Sequence, residues 1–310
     1  MDILDARLAD VLEKQQGGES SEVEILNEDD EQSSKSHLTK KRHKQRDFFV
    51  ADTFDGVFKD DLASMEHPLF ALKAGDTKDR FYEHGGNTLE IRPNSYGCAT
   101  IHDKDLWIYC VSSLMAARNR GEEIEPTIRF KAYDFLVATN RGTGGHNYKL
   151  LREALERLAG TRIATNIVTG GKRIVSIFGL LDKVDIIYLN PEDEDSPMES
   201  IEVTLPDWLF RSVETAQIKT ISPDYFRLRK PLDRRIYELC AKHCGHQSEW
   251  MVSLETLHKK SGTTAPLRNF RIAVKSLADS DELPDYSLIY DAENDRITVR
   301  KRKITVPELP

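Results

Sequence analysis

Ser253-Leu-Glu-Thr-Leu-His-Lys-Lys-Ser-Gly-Thr-Thr-Ala-Pro-Leu-Arg-Asn-Phe-Arg-Ile-Ala-Val-Lys-Ser-Leu-Ala-Asp279 reads as two helices joined by a tight turn. Ser253 is placed to cap a helix over Leu254 to Lys260, and Ser261-Gly-Thr-Thr264 makes the turn. A second helix runs from Pro266 to about Asp279, with Leu267, Phe270, Val274 and Leu277 on one stripe. Arg268, Arg271 and Lys275 lie opposite that stripe at i, i+3 and i+7, and residues 256 to 278 hold five bases, with Lys259 and Lys260, and no acid. A helix with a buried stripe and a cationic outer face after a tight turn suits docking in a DNA major groove. Arg268 is shaped to bind guanine bidentately and Asn269 to read adenine, with Thr264 beside them in the turn. An ordinary amphipathic surface helix is the plainer account, but it leaves the missing acids unexplained.

The flanks extend the pattern. A helix over about Pro231 to Lys242 and an extended Trp250-Met-Val252 precede the pair. Tyr286 to Tyr290 and Arg296 to Arg300 follow as two strands around the polar turn Asp291 to Asp295, a wing that offers Arg296 and Arg300. Helix, strand, helix, turn, helix, hairpin is the order of a winged helix-turn-helix.

The same order is predicted once more upstream. Thr100, with Asp103 three positions on, caps a helix to about Asn119. Thr127 to Phe130 is extended, Ala132 to Thr139 is a short helix, and Asn140-Arg-Gly-Thr-Gly-Gly145 is the turn. The next helix stripes Tyr148, Leu151, Leu155 and Leu158 and ends at Gly160, read as its C-cap. Arg162 to Val168 and Arg173 to Phe178 make a hairpin around Thr169-Gly-Gly-Lys172, and Phe81 to Arg92 another around Gly85-Gly86. Arg141, Asn147, Lys149 and Arg152 at the turn and helix start, with Lys172 and Arg173 at the wing tip, are the candidate contacts of this half. Glu153 and Glu156 would repel phosphates, so only the helix N-terminus is expected to face DNA.

Net charge is −8, which taken whole argues against nucleic acid. Residues 1 to 34, however, hold eleven acids against two bases, so the other 276 residues sum to +1. Residues 191 to 199 carry five more carboxylates and no base. The stretch from Gln15 to Arg46 has almost no large apolar side chains and is expected to be disordered, with the basic run Lys40 to Arg46 a solvated tail that might brush phosphates. Leu4, Leu8, Val11 and Leu12 share one helical face and form a candidate partner-binding segment.

The expected architecture is therefore α+β: two tandem winged helix-turn-helix domains, at 47–212 and 213–310, behind a disordered acidic leader at 1–46. Membrane insertion is excluded because the most apolar run, Ile174 to Leu181, has eight residues against the roughly 18 a span needs. Asp2 and Asp5 do not fit a signal peptide, and four unevenly spaced cysteines do not make a disulfide framework, so a cytoplasmic location is expected.

Catalytic and cofactor readings fare worse. Gly142, Gly144 and Gly145 lack the lysine and hydroxyl of a phosphate loop. Cys240, His243, Cys244 and His246 have no second cysteine pair to close a zinc site, and His102 to Asp105 reads as a helix start with acids suited to the dipole. A DNA-nicking enzyme needs a histidine–apolar–histidine metal pair beside a tyrosine nucleophile; no such pair exists, and Tyr225 and Tyr237 are expected in the core. No enzyme activity, metal or cofactor is expected.

Phe49-Val-Ala-Asp-Thr-Phe54, Lys59 to Phe70, Phe130-Lys-Ala-Tyr-Asp134, Val137-Ala-Thr-Asn-Arg141 and Tyr225-Phe-Arg-Leu-Arg-Lys-Pro-Leu232 resemble the plasmid replication initiator protein A family over roughly residues 48 to 300. The resemblance implies a non-enzymatic initiator that binds repeated double-stranded origin sequences, promotes opening of an AT-rich segment, and recruits host initiator and helicase machinery. It also implies possible repression of its own promoter as a homodimer. A winged-helix transcriptional repressor without replication activity is the alternative.

Overall fold

The stripe at Leu267, Phe270, Val274 and Leu277 is the inner face of a helix: the last three are fully buried and Leu267 packs at their edge. Burial of each is worth about 1.5–3 kcal/mol, which is what holds so cationic a helix to the fold. The computed structural model describes residues 36–43, 57–84, 87–166, 168–169, 172–173, 176–190, 192, 196, 198–245 and 247–302.

In chain order, strand β1 (Lys59–Asp61), helix α1 (Leu62–Glu66), strands β2 (Arg80–His84) and β3 (Asn87–Arg92) precede helix α2 (Asp105–Asn119). Strand β4 (Thr127–Phe130), helices α3 (Ala132–Ala138) and α4 (Gly145–Gly160), and strands β5 (Arg162–Thr165), β6 (Val168–Thr169), β7 (Lys172–Arg173) and β8 (Ser176–Gly179) follow. Strands β9 (Lys183–Tyr188) and β10 (Met198–Thr204), helix α5 (Asp207–Glu214), strand β11 (Ile218–Thr220) and a 3-10 turn at Pro223–Arg227 lead into the last third. There helix α6 (Pro231–Cys244), strand β12 (Glu249–Ser253), helices α7 (Leu254–Ser261) and α8 (Leu267–Ser280), and strands β13 (Tyr286–Asp291) and β14 (Arg296–Lys301) complete the chain. The last third has a winged-helix arrangement, with β12 pairing β14 and β14 pairing β13 in a three-stranded sheet.

The upstream half repeats the order but closes its sheets differently. β5 and β8 pair with Thr165 opposite Ser176, and β6 and β7 continue in the same register with Thr169 opposite Lys172, so both ladders belong to one long wing. β2 and β3 join it as a four-stranded sheet in the order β2-β3-β5-β8. β4 does not pair with this wing; it lies against β10, which pairs β9.

Two hydrophobic cores result. One gathers α2, α3, α4 and α5 around Trp107, Phe135, Leu155 and Ile201. The other gathers α6, α7, α8 and the last sheet around Tyr237, Leu257, Phe270 and Ile297, and it also takes in Phe58, Met65 and Ile108 from before the boundary drawn at residue 212. β1 accordingly pairs with β11, with Lys59 opposite Thr220.

Three sequence expectations change. Gly160 is the last residue of α4 rather than a left-handed cap, and its hydrogen side chain is needed for space: a Cβ there would fall 1.9 Å from Asn94 Nδ2, which donates to the Glu156 carbonyl. Residues 37–43, placed in a disordered leader, pack on the fold through polar contacts that a hydrophobicity count does not register, and His37 is buried. Asp103 does accept from the Thr100 N–H at 2.8 Å, but the helix proper begins at Asp105. The expectations for residues 1 to 34, for Lys44 to Phe54 and for the Gly85-Gly86 and Gly170-Gly171 turns fall outside the described residues.

Candidate nucleic-acid interface

The second helix-turn-helix is built stiffly from short-range contacts. Ser253 caps α7 by accepting from the Thr256 N–H at 3.2 Å, and α7 ends at Gly262, whose φ of 68° is the left-handed region that glycine enters without strain. His258 Nε2 donates to the Ala265 carbonyl at 2.8 Å while its ring sits edge-on against Phe270, so the turn and α8 share one anchor. Ser261 Oγ donates to the His258 carbonyl at 2.7 Å. A Cβ on Gly262 would meet Pro68 at 2.4 Å, so the turn lies directly on the upstream half of the chain.

From that turn α8 projects outward. Thr264, Arg268, Asn269 and Lys275 are exposed, and among the described residues Arg268 and Lys275 have no acidic partner. Ile272, 62% exposed, stands between them on the same outer face; its place off the apolar stripe is visible in the sequence but was missed. An aliphatic side chain there is suited to a thymine methyl group.

Other predicted cations are engaged. Arg271 grips Asp295 in the wing turn through two hydrogen bonds of 2.8 and 2.6 Å. Arg296 pairs with Asp291 at 2.9 Å and Arg300 with Glu249 at 2.9 Å, both on the wing sheet. Lys259 pairs with Glu255 at 2.7 Å. Lys260 turns toward Glu66 of α1, and its carbonyl accepts from Arg235 at 3.0 Å. The acid-free window of 256 to 278 is thus answered by acids just outside it or far from it. Exposed pairs of this kind are worth at most about 1 kcal/mol, so the lysines and arginines of the rim can exchange an acid for a phosphate at little cost.

In the first unit Lys149 and Arg152 are exposed on the outer face of α4, and Asn147 is half-buried beneath Gly142. Lys172 and Arg173 face each other across the wing ladder from Thr169 and Val168, at the tip as expected. Arg141 differs from the rest: it donates to the His102 carbonyl at 2.6 Å and to Asp105 Oδ2 at 2.9 Å, and its guanidinium lies over the Phe135 ring. It braces the turn rather than projecting from it. Arg157 is likewise held by Asp103 through two bonds of 2.8 Å.

The groups considered for chemistry are buried. Tyr225 and Tyr237 are fully buried, their hydroxyls donating to Glu238 at 2.8 Å and Asp285 at 2.7 Å, and burial pushes both far above the ordinary tyrosine range. Cys240 and Cys244 lie in the second core, and His243 stacks on Trp250. Among the described residues no group of three metal-binding side chains forms, and no helix is long and apolar enough to cross a membrane.

The fold matches solved structures of RctB. Domains 2-3 of RctB superpose with a TM-score of 0.54 at 12% identity over 78% of this chain and 97% of that one, and a selenomethionine structure of the same domains gives 0.55 over 77% and 96%. A protein of Wigglesworthia glossinidia brevipalpis described as a replication protein is 41% identical over 273 residues, 86% of this chain and 98% of its own length. The model of the replication initiator protein A family matches residues 59–288, so α3, α4, α7, α8 and the β6–β7 ladder all lie inside the match, and the chain belongs to that family.

Proposed function

We propose that the chain is a sequence-specific duplex DNA-binding initiator of plasmid replication, working in the cytoplasm without catalysis and reading its origin with two winged-helix units in tandem. The observation that carries this reading is the outer face of α8: Thr264, Arg268, Asn269, Ile272 and Lys275 stand exposed on a helix whose inner stripe is buried and whose preceding turn is pinned. Side chains at its N-terminal end would read base edges, and the paired cations of the wing would neutralise phosphates. The first unit would add Lys149, Arg152 and the wing tip. Membership of the family supports replication as the purpose of such binding, including opening of the origin and recruitment of the host initiator and helicase. Burial of Tyr225 and Tyr237 speaks against a tyrosine nucleophile.

Footprinting on the origin of the plasmid that encodes the chain tests the proposal. Protected direct repeats are expected, lost when Arg268 and Asn269 are both changed to Ala. A single inverted promoter site would favour the repressor, and a covalent tyrosyl–DNA adduct would overturn the non-enzymatic reading.

A further inference from the structure

Between the two helix-turn-helix units runs a chain of buried charges, centred on the adjacent residues Lys104 and Asp105 at the start of α2. Asp105, 1% exposed, accepts from Arg141 in the turn of the first unit at 2.9 Å and from Arg234 of α6 at 2.5 Å. Lys104, wholly buried, donates to Asp60 at 2.7 Å and contacts Glu238 of α6 at 2.9 Å. Glu238 holds Arg235 at 3.1 Å, and Arg235 donates to the carbonyls of Met65 at 2.9 Å and Lys260 at 3.0 Å. Lys260 is in the last turn of α7, two residues before the turn of the second unit. Taken together the links run from one helix-turn-helix to the other, crossing from α2 to α6 at Asp105–Arg234 and Lys104–Glu238.

A strap makes a second connection between the same two places. His37 donates to Asp233 at 2.7 Å and lies 3.3 Å from Ser276 Oγ on α8, and Leu38 forms an antiparallel bridge with Leu228. A few residues on, the Arg42 N–H donates to Asn140 Oδ1 at 2.8 Å and His43 Nε2 to the Arg141 carbonyl at 2.8 Å. Asn140 and Arg141 open the turn before α4.

We infer that this charge chain and strap set the distance and rotation between the two DNA-reading helices, and so make the spacing between the two half-sites part of what the protein recognises. The inference rests on the proposal that both units face DNA. Buried charges tie the arrangement down further than packing alone, because a small displacement leaves an ion unpaired out of water. Major grooves on one face of DNA recur every 34–36 Å, about ten base pairs, so a fixed pair of helices tolerates few spacings. Asp105 and Arg141 are then positioning residues.

The test is binding of the full chain to its footprinted site and to versions with one to ten base pairs inserted between the two protected segments. For the unaltered chain an insertion of about five base pairs should weaken binding at least roughly tenfold, with no recovery at ten, because a fixed pair of helices cannot follow a half-site moved a full turn away. Asp105→Asn should flatten that profile to within about threefold while binding at native spacing falls less. The double change Asn140→Ala and His43→Ala, which frees the strap and leaves the buried charges in place, should flatten it partly and remains informative if Asp105→Asn fails to fold. A spacing profile unchanged in the folded variants, or flat in the unaltered chain, overturns the inference. Absence of any footprint, by contrast, overturns the proposed function itself.

Discussion

The two helix-turn-helix units share an order of elements and differ in how their strands close. In the second, the strand before α7 pairs with the wing, β12 against β14, and the whole unit is sealed as one sheet under one core. In the first, β4 is taken by β10 and the wing instead pairs with the β2–β3 hairpin. The outer faces differ as well. α8 presents Arg268, Asn269 and Lys275 with a single acid, Asp279, at its C-terminal end, whereas α4 interleaves Lys149 and Arg152 with Glu153 and Glu156. A unit whose strands close in one sheet and whose helix starts with unpaired cations is fitted to read bases; one whose sheet is shared and whose helix is mixed in charge along its length is fitted to hold phosphates and support the other.

That contrast is open to attack by truncating each core. Phe270→Ala and Leu155→Ala should each cost about 2–5 kcal/mol of stability. Because the buried charges between α2 and α6 join the units, both variants should still unfold in a single calorimetric transition; two separated transitions would show that the units are independent. Next in size, Arg268→Ala should cost about 1–3 kcal/mol in specific binding and relax discrimination at one base pair. Lys149→Ala should instead weaken binding to all sequences alike and lower the salt slope by about one, as titration at several salt concentrations would reveal. If the two variants behave alike, the division of labour fails.

Acid should act on the junction between the units. Burial, then the nearby Arg234 and Arg141, push the His102 imidazole down from 6.5 to about 2. The unfolded chain therefore takes up a proton below about pH 6.5 that the folded chain refuses, so stability is complete above that pH and falls as acid is added. Between pH 7 and 5 the loss is about 2 kcal/mol, and His102→Gln should remove that share of the slope in denaturant titrations at the two pH values. Arg271→Ala should be the smallest of these changes. Its partner Asp295 is 39% exposed, so denaturant titration should show stability almost unchanged, and the wing, rather than base discrimination, should feel the change.

Much of the fold was legible in local pattern. The stripes of α4 and α8, the Ser253 cap, and the β6–β7 ladder of the first wing are set by spacings of two to four residues, which one sequence displays directly. The outward place of Ile272, off the apolar stripe, is equally legible from spacing. The availability of the cations was not legible. Arg271, Arg300 and Lys260 look alike in a window without acids, yet their partners stand 24, 51 and 194 residues away at Asp295, Glu249 and Glu66. His37 carries no apolar signal, and its place depends on Asp233 and Ser276.

The sequence by itself determined the elements, their order, and the separation of an acidic leader from a weakly basic remainder, because helix and strand periodicity and charge density are properties of neighbouring residues. Tertiary structure alone decided which strands close which unit, which cations face outward, and that Lys104, Asp105, Arg234 and Glu238 meet out of water between the two units. Those outcomes depend on pairings between residues far apart in the chain, where burial makes each charge select its partner by geometry and no local rule applies.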